Sequence, residues 1–247
     1  MKIALIGHGR LGTLLAKNIV QDFDLGIFDK NKITNLPKGA TQISLSELKN
    51  YQIVLLCLPI NQIKNFCQEI KNQLHENTLV IDTCSVKEYP LEQMKDILPD
   101  NCSLLGTHPM FGPDSAKKTL WGSKIVLCPE RIDQDQLRNI QNYLEGHGLK
   151  VIITSAKNHD QEIAQSLALT HFIGRGLIDY QATELEIDTK GHRRLMKILE
   201  TVENDTIELF KDMNFYNSFA RMGRKKFIEK LIEIDKNLDQ NEEHPCE

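Results

Sequence analysis

A glycine pattern near the start of the chain restricts the possible folds more than any other feature. Gly7, Gly9 and Gly12 form a G-x-G-x-x-G that directly follows the strand-like run Lys2 to Ile6 and precedes an apolar stripe of helical period. In such a unit, the first glycine permits a tight turn and the last lets the helix pack closely on the strand. The pattern therefore predicts the opening strand, turn and helix of a doubly wound α/β sheet.

Six more strand-like runs, separated by segments of helical period, follow up to Ile153. They are Leu25 to Phe28, Ile53 to Leu58, Thr78 to Asp82, Ser103 to Thr107, Ile125 to Cys128 and Val151 to Ile153. This alternation is typical of βα units that feed a parallel sheet. After Thr154 only helical stripes remain, such as Leu195, Ile198, Leu199 and Val202. We therefore predict a Rossmann-type domain over residues 1–153 and an all-helical C-terminal domain over residues 154–247.

The second helical stripe suggests how the C-terminal domain is completed. Phe227, Leu231, Ile234 and Leu238 share one helix face, and the tail from Asn237 onward is polar and is expected to fray. A helical domain of fewer than ~100 residues covers such stripes poorly by itself. We therefore expect a homodimer that forms through the helical domain.

Charge and cysteine content exclude several classes of partner. The net charge of −4 and the mixing of basic with acidic residues argue against nucleic-acid binding. No apolar run is long enough to span a membrane, and the first strand leads into glycines rather than a signal-peptide cleavage site. The six cysteines form no C-x-x-C pair. We predict a cytoplasmic protein with reduced cysteines, a small-molecule substrate and no metal site.

An acidic residue about twenty positions after the glycine turn predicts a dinucleotide site. Asp29 follows the second strand, where its carboxylate would accept hydrogen bonds from the adenosine ribose and repel a 2′-phosphate. NAD is therefore favoured, and NADP stays possible because Lys30 or Lys32 could reach a phosphate. A glycine turn without a ligand, with Asp29 as a helix cap or a solvated acid, is the alternative. The cofactor site is assigned to Gly7, Gly9, Arg10, Leu11, Gly12, Asp29, Leu58 and Pro59.

Three further segments carry the polar residues of a reactive site. They are Asp82 to Lys87, Gly106 to Pro113, and His159 to Arg175. The first two follow strands, and ligands of open α/β sheets bind at the carboxyl ends of strands. Ser85 and His108 should therefore face the same crevice as the glycine turn.

In these segments the sequence resembles the prephenate/arogenate dehydrogenase family of tyrosine biosynthesis. The motifs that carry the resemblance are the glycine turn, Ser85-Val86-Lys87, Thr107 through Pro113, His159-Asp160 through Ser166, Thr170-His171, Gly174-Arg175 and Ile187 through Gly191. The last three of these are most similar to the plant-type arogenate dehydrogenase branch. Several long motifs in the same order are much more specific than a lone glycine pattern.

The resemblance implies an oxidative decarboxylation. A hydride leaves the ring carbon that bears the hydroxyl, the ring carboxylate departs as CO2, and an aromatic ring forms. His108 is then the general base, since its ordinary pKa lies near neutrality, and Ser85 hydrogen-bonds the hydroxyl and the imidazole. The resemblance assigns substrate binding to His171, Thr170, Lys197, Lys87 and Gly112.

Each of these residues also has a structural alternative. His108 could be a structural histidine in a proline-rich loop, and Ser85 could cap the helix that follows it, a role compatible with catalysis. Lys87 could be a solvated charge instead of a ligand. His171 lies on an apolar helix face, where a core histidine satisfied by hydrogen bonds is the ordinary finding.

The sequence departs from the family pattern at two positions that bear on substrate binding. Lys197 stands where the bacterial branch has an arginine, and it offers a point charge instead of a bidentate fork. Leu167 stands where that branch has a serine, which leaves Ser166 or Thr170 to supply a hydroxyl. The way in which the ring carboxylate is held is therefore open.

The segment after Pro113 bears on the choice of substrate. Arogenate carries an ammonium in place of the keto group of prephenate, so a site that selects it should offer a carboxylate. Asp114 is present, but Lys117 and Lys118 stand shortly before Trp121, where plant-type enzymes tend to have an acid. Prephenate is therefore favoured over arogenate.

Two other functions are possible for a chain with this predicted fold. Another NAD-dependent enzyme of the same plan, such as a β-hydroxyacid dehydrogenase or an imine reductase, would lack the Thr107-His108-Pro109-Met110 segment. A catalytically silent nucleotide-binding or regulatory protein could share the fold, but it would not need both Ser85 and His108.

Overall fold

The computed structural model describes residues 1–113, 116 and 119–241. The chain divides into two compact units, Met1–His159 and Asp160–Glu247. The domain boundary that the sequence predicts, after Ile153, lies before the division observed after His159.

The first unit is built on an eight-stranded sheet. Its strands are β1 (Lys2–Ile6), β2 (Asp24–Phe28), β3 (Thr41–Gln42), β4 (Ile53–Leu56), β5 (Leu79–Asp82), β6 (Ser103–Pro109), β7 (Lys124–Arg131) and β8 (Lys150–Ile153). Their order across the sheet is β3-β2-β1-β4-β5-β6-β7-β8. The chain therefore winds outward from β1 in both directions, which confirms the predicted Rossmann-type α/β fold.

Helices connect most of the strands. They are α1 (Arg10–Ile19), α2 (Ile63–Ile70), α3 (Glu88–Ile97) and α4 (Gln134–Gly146), with 3-10 turns at Leu45–Asn50 and Ile60–Gln62, and α5 (Ala156–Gln165) follows the last strand. The central strands β1, β4 and β6 are buried except at their first residue, and all four residues of β5 are buried. Such continuous burial, in place of alternation, is typical of a sheet that is covered on both faces.

Two details of the sheet differ from the expectation of a simple parallel array. The two-residue strand β3 extends one edge and is too short to give a sequence signal. Strand β7 pairs with β6 in the antiparallel direction, whereas all other neighbouring strands are parallel. An antiparallel pair needs no crossover helix, and none is found among the described residues between β6 and β7. His108 consequently lies within β6, paired with Val126, and not in a loop.

The described part of the second unit is helical, as predicted. Besides the last turns of α5 it contains α6 (Leu167–Asp179), α7 (Lys190–Glu203), α8 (Ile207–Phe215) and α9 (Ala220–Asn241). Helix α9 continues to Asn241, past the position at which fraying was expected to begin, and residues 242–247 of that tail lie outside the described residues. Gly174 allows α6 and α7 to pack closely, since a Cβ at Gly174 would lie 2.6 Å from a methyl carbon of Val202.

Several large apolar side chains of α9 are exposed to solvent in the single chain. They are Met222, Ile228, Leu231, Ile232, Ile234 and Leu238. Within the described residues, no helix is long and apolar enough to cross a bilayer.

Candidate active site

The glycine turn between β1 and α1 has the geometry of a phosphate-binding loop. Gly7 has a φ of +95°, and side chains at Gly7 and Gly12 would collide with the carbonyl oxygens of Cys57 and Gly7 respectively. A Cβ at Gly9 would meet nothing within 4 Å. Helix α1 starts at Arg10 and receives no side-chain cap from Gly9. Its first turn, with Leu11, can therefore present amide groups and the positive end of the helix dipole to an anion.

Asp29 lies at the end of β2 and braces this turn. Its carboxylate accepts hydrogen bonds from the backbone N–H of His8 and of Asn31, both at 2.7 Å. Asp29 is therefore neither a helix cap nor a freely solvated acid. A carboxylate has about four lone-pair positions, so two remain for the hydroxyls of a ribose. The open space at Gly9 and this acceptor together fit a dinucleotide.

Leu58 and Pro59 follow β4, the neighbour of β1 in the sheet. A Cδ atom of Leu58 lies 3.3 Å from the position of a Cβ at Gly7, so Leu58 borders the glycine turn. Pro59 is exposed and precedes the 3-10 turn that starts at Ile60. Strand β4 ends at Leu56, earlier than expected, which leaves both residues at the carboxyl edge of the sheet.

A buried ion pair holds the ends of β5 and β6 together. The Lys87 ammonium donates to Asp82 Oδ1 and, at 2.6 Å, to the carbonyl oxygen of Thr107, and both charged side chains are 0% exposed. The Thr107 hydroxyl donates back to the carbonyl of Asp82 at 2.7 Å. Gly106 leaves room for the stem of Lys87, since a Cβ there would lie 3.2 Å from its Cδ. Lys87 is therefore not a solvated charge, which corrects that alternative.

Ser85 lies in the turn that follows β5. Helix α3 starts at Glu88 and its N-cap residue is Lys87, so Ser85 does not cap the helix. Its hydroxyl oxygen is buried and has no hydrogen-bond partner among the described residues. The bond from Ser85 to His108 that the resemblance implies is absent here. The hydroxyl is thus available for a hydrogen bond to a bound molecule.

His108 is buried at the carboxyl end of β6 and contacts a second histidine. Its side chain is 6% exposed, and its Nδ1 lies 2.9 Å from Nε2 of His159, a residue of α5 that is 3% exposed. The rings meet edge to face, with centroids 5.1 Å apart. Burial, followed by the proximity of His159 and Lys87, lowers the pKa of His108 well below 6.5. His108 is therefore a neutral imidazole at neutral pH, the form that accepts a proton.

His159 lies in the candidate site, but the sequence analysis gave it no role there. It was noted only as part of a motif, because a histidine in a polar stretch of helix gives no local sign of burial. The adjacent residue Asp160 is also completely buried. Two neighbouring polar residues that are both buried are unusual, but burial is visible only in the folded chain.

The second unit contains three of the predicted substrate residues, His171, Thr170 and Lys197. His171 is 2% exposed, and its Nε2 lies 3.5 Å from Oδ2 of Asp205. Burial lowers the pKa of His171, and the neighbouring Asp205 opposes that shift. Arg175 donates to the carbonyl of Val202 at 3.1 Å and to that of Asp205. His171 Nδ1 and Arg175 Nε are buried, and neither atom has a hydrogen-bond partner among the described residues.

Thr170 precedes His171 on α6, and Lys197 lies on α7, the helix that packs against α6. Thr170 is half-buried on α6, and Lys197 is exposed on α7. The Ser166 hydroxyl donates to the carbonyl of Glu162 at 2.7 Å, so of the two candidate hydroxyls that of Ser166 is already engaged. Substrate binding by these residues stays a prediction.

The segment between β6 and β7 is described only in part. A Cβ at Gly112 would meet no described residue within 4 Å. Trp121 is 74% exposed and packs over Gly148. Asp114, Lys117 and Lys118, on which the choice of substrate was argued, lie outside the described residues.

Comparison with known proteins places the chain among dehydrogenases. Residues 21–153 match the family model "Prephenate dehydrogenase, nucleotide-binding domain", and residues 177–247 match "TYRAAT1-like, C-terminal domain". Arogenate dehydrogenase 2 of Arabidopsis thaliana, a chloroplastic protein, is 31% identical over 89% of this chain. A probable arogenate/prephenate dehydrogenase of Methanocaldococcus jannaschii is 26% identical over 85% of it. The chain spans 65% and 50% of the lengths of these two relatives.

A solved structure supports the fold. The prephenate dehydrogenase from A. aeolicus, in complex with hydroxyphenyl propionate and NAD+, superposes with a TM-score of 0.75 at 18% identity, over 99% of this chain and 92% of that chain. At this identity the likeness concerns the fold alone. The family model covers more than half of the chain, and its match agrees with the motifs around Ser85 and His108. The chain belongs to the prephenate/arogenate dehydrogenase family.

Proposed function

We propose that the chain oxidatively decarboxylates prephenate, with NAD as the hydride acceptor. The observation that carries the proposal is the buried imidazole of His108 at the carboxyl end of β6, the sheet edge at which the glycine turn and Asp29 also lie. NAD bound at that turn would supply the hydride acceptor. The chain's own residues would supply a base, a hydroxyl and a dry environment.

The proton follows a short path in this proposal. As the hydride leaves the ring carbon, the hydroxyl proton passes to Nε2 of His108, the nitrogen that does not contact His159. The Ser85 hydroxyl holds the reacting oxygen in line with the imidazole. Loss of CO2 from the ring carboxylate then produces the aromatic ring, whose phenolate oxygen can take the proton back from His108.

We also propose roles in substrate binding for the other residues that the resemblance assigned to it. His171, Thr170 and Lys197 are proposed to hold its carboxylates, since fixed donors and cations are what such groups require. Gly112 is proposed to leave space for the substrate, because no described residue lies within 4 Å of the position that a Cβ would take there. Lys87 is proposed to act on the substrate through its positive charge rather than through a direct hydrogen bond, because its ammonium already donates to Asp82 and to the carbonyl of Thr107.

Arogenate is the second candidate substrate, and one finding favours it. The plant relative at 31% identity is an arogenate dehydrogenase. The lysines at positions 117 and 118 favour prephenate instead, because they would repel the ammonium of arogenate.

We expect prephenate to give the higher kcat/KM when both substrates are assayed with NAD by the appearance of NADH. Lys117→Glu with Lys118→Glu should move the preference toward arogenate, whereas Lys150→Glu, a change of an exposed lysine on β8, should not. A tenfold advantage for arogenate, about 1.4 kcal/mol, would reverse the substrate assignment. Absence of turnover with both substrates would favour a catalytically silent protein and contradict the proposed function.

We also propose that Asp29 sets the preference for NAD over NADP. Asp29→Ser should lower the ratio of kcat/KM for NAD to that for NADP by about tenfold, since a hydrogen bond to a charged group contributes roughly 1.5–3 kcal/mol. Asp24→Ser, at the other end of β2, is the matched control. An unchanged ratio in the Asp29 variant, or a wild type that prefers NADP, would remove Asp29 from this role.

A homodimer formed through the helical unit and a cytoplasmic location complete the proposal. The exposed apolar side chains of α9, Leu231 and Leu238 among them, support the dimer, because such groups favour an interface over water. The five cysteines described are free thiols, in keeping with a reducing compartment. Sedimentation equilibrium of the purified protein measures the first point, and a monomer would contradict it.

A further inference from the structure

We propose that His159 is a positioning residue that holds His108 in the tautomer with hydrogen on Nδ1, and so makes Nε2 the basic nitrogen. The inference rests on the proposed function of His108. It adds a residue for which the sequence analysis gave no role.

The contact between the two rings leaves only two arrangements. His108 Nδ1 and His159 Nε2 are 2.9 Å apart, and a hydrogen bond between two imidazole nitrogens needs one N–H and one lone pair. If His108 donates, its Nε2 carries a lone pair and can take a proton. If His159 donates, neutral His108 carries its hydrogen on Nε2 and is useless as a base there. The direction of this one hydrogen bond therefore decides whether His108 can react at Nε2.

The surroundings of the pair keep both rings in place. His108 and His159 are 6% and 3% exposed, so neither ring can readily turn toward water. The Lys87 ammonium, with Asp82 as its counter-ion, is a fixed positive charge near His108. A second proton on the pair would place two N–H groups against each other beside that ammonium. A charged His108 would therefore have to donate through Nδ1 to the lone pair of His159 Nε2.

A lone pair of His159 that accepts from Nδ1 would also favour the charged intermediate, whereas a positive charge on His159 lowers the pKa of His108. After His108 takes the substrate proton, its Nδ1–H belongs to an imidazolium, and hydrogen bonds from a charged donor are stronger than those from a neutral one. The bond to His159 thus gains strength as the proton arrives. An interaction that is stronger in the transition state than in the ground state raises kcat and leaves substrate binding little changed.

Two variants separate this role from simple packing. His159→Gln keeps an acceptor oxygen and has no titratable group, whereas His159→Leu removes the acceptor. With the better of the two substrates and NAD, His159→Leu should lower kcat by about 10- to 100-fold, a part of the ~10²–10⁴ supplied by a general base, with little change in KM. His159→Gln should stay within about threefold of wild type. Wild-type turnover in His159→Leu, or equal losses in two variants that are folded by circular dichroism, would overturn the proposal.

The tautomer itself is measured without turnover, by long-range proton–nitrogen NMR of the histidine rings in the full chain. His108→Asn assigns the signals. We expect the wild-type His108 to carry hydrogen on Nδ1 alone, and His159→Leu to show a mixture of tautomers. Hydrogen on Nε2 in wild type would overturn the proposal. Because this measurement needs no substrate, a failure of the dehydrogenase assignment is distinguished from a failure of the role of His159.

Discussion

His108→Asn is expected to lower kcat by about 10²–10⁴-fold, the usual contribution of a positioned general base, and to leave NAD binding unchanged. Asparagine matches the size of the imidazole approximately but has no basic nitrogen to accept the substrate proton. The His108 side chain lies in β6 and hydrogen-bonds to His159, and among the described residues it makes no hydrogen bond to the glycine turn. The cofactor site should therefore persist. Steady-state kinetics with fluorescence titration of NADH checks both points.

The pH dependence of wild type gives an independent check on the same residue. Burial depresses the pKa of His108 below 6.5, so the neutral base persists as pH falls through 6.5. The decline of kcat/KM on the acid side is therefore expected at lower pH than an ordinary histidine would give. Ser85→Ala, which removes a hydroxyl but no base, should lose less kcat and keep this profile. Near wild-type turnover by His108→Asn across the pH range would exclude His108 as the base.

Lys87→Met is expected to destabilise the protein by about 3–5 kcal/mol, because it leaves the buried carboxylate of Asp82 without its counter-ion. Both side chains are 0% exposed, so water cannot take over the role of the ammonium. The carbonyl of Thr107 loses its donor as well. Urea denaturation should show a lower midpoint with an unchanged slope.

The dependence of this loss on pH and on a second substitution identifies its cause. Burial already raises the pKa of Asp82, and loss of the Lys87 charge removes the main opposing effect. A carboxyl with a raised pKa in the folded state favours folding at low pH, and this contribution is lost as pH rises through that pKa. The deficit of Lys87→Met should therefore shrink in acid. Asp82→Asn combined with Lys87→Met should recover much of the stability, whereas additive losses would show that the two residues act independently.

Much of the fold was predictable because its signals are local. Strands of the first unit, the glycine turn and the position of Asp29 depend on residue spacing within one βα unit, and the structure confirms those strands with small shifts at their ends. Strand β3 and the direction of β7 were not predictable in this way. The first has two residues, and the second depends on a connection that lacks a crossover helix in its described part.

The sequence by itself determined which residue types stand at the sheet edge, and the tertiary structure decided what each of them does there. Lys87 has the sequence context of a surface lysine, yet packing encloses it with Asp82 and turns a solvated charge into a buried pair. His108 meets His159 across 51 positions of sequence, so no local pattern could join them. The physical reason is that burial and hydrogen-bond pairing are properties of long-range contacts, whereas periodicity and turns are properties of neighbouring residues.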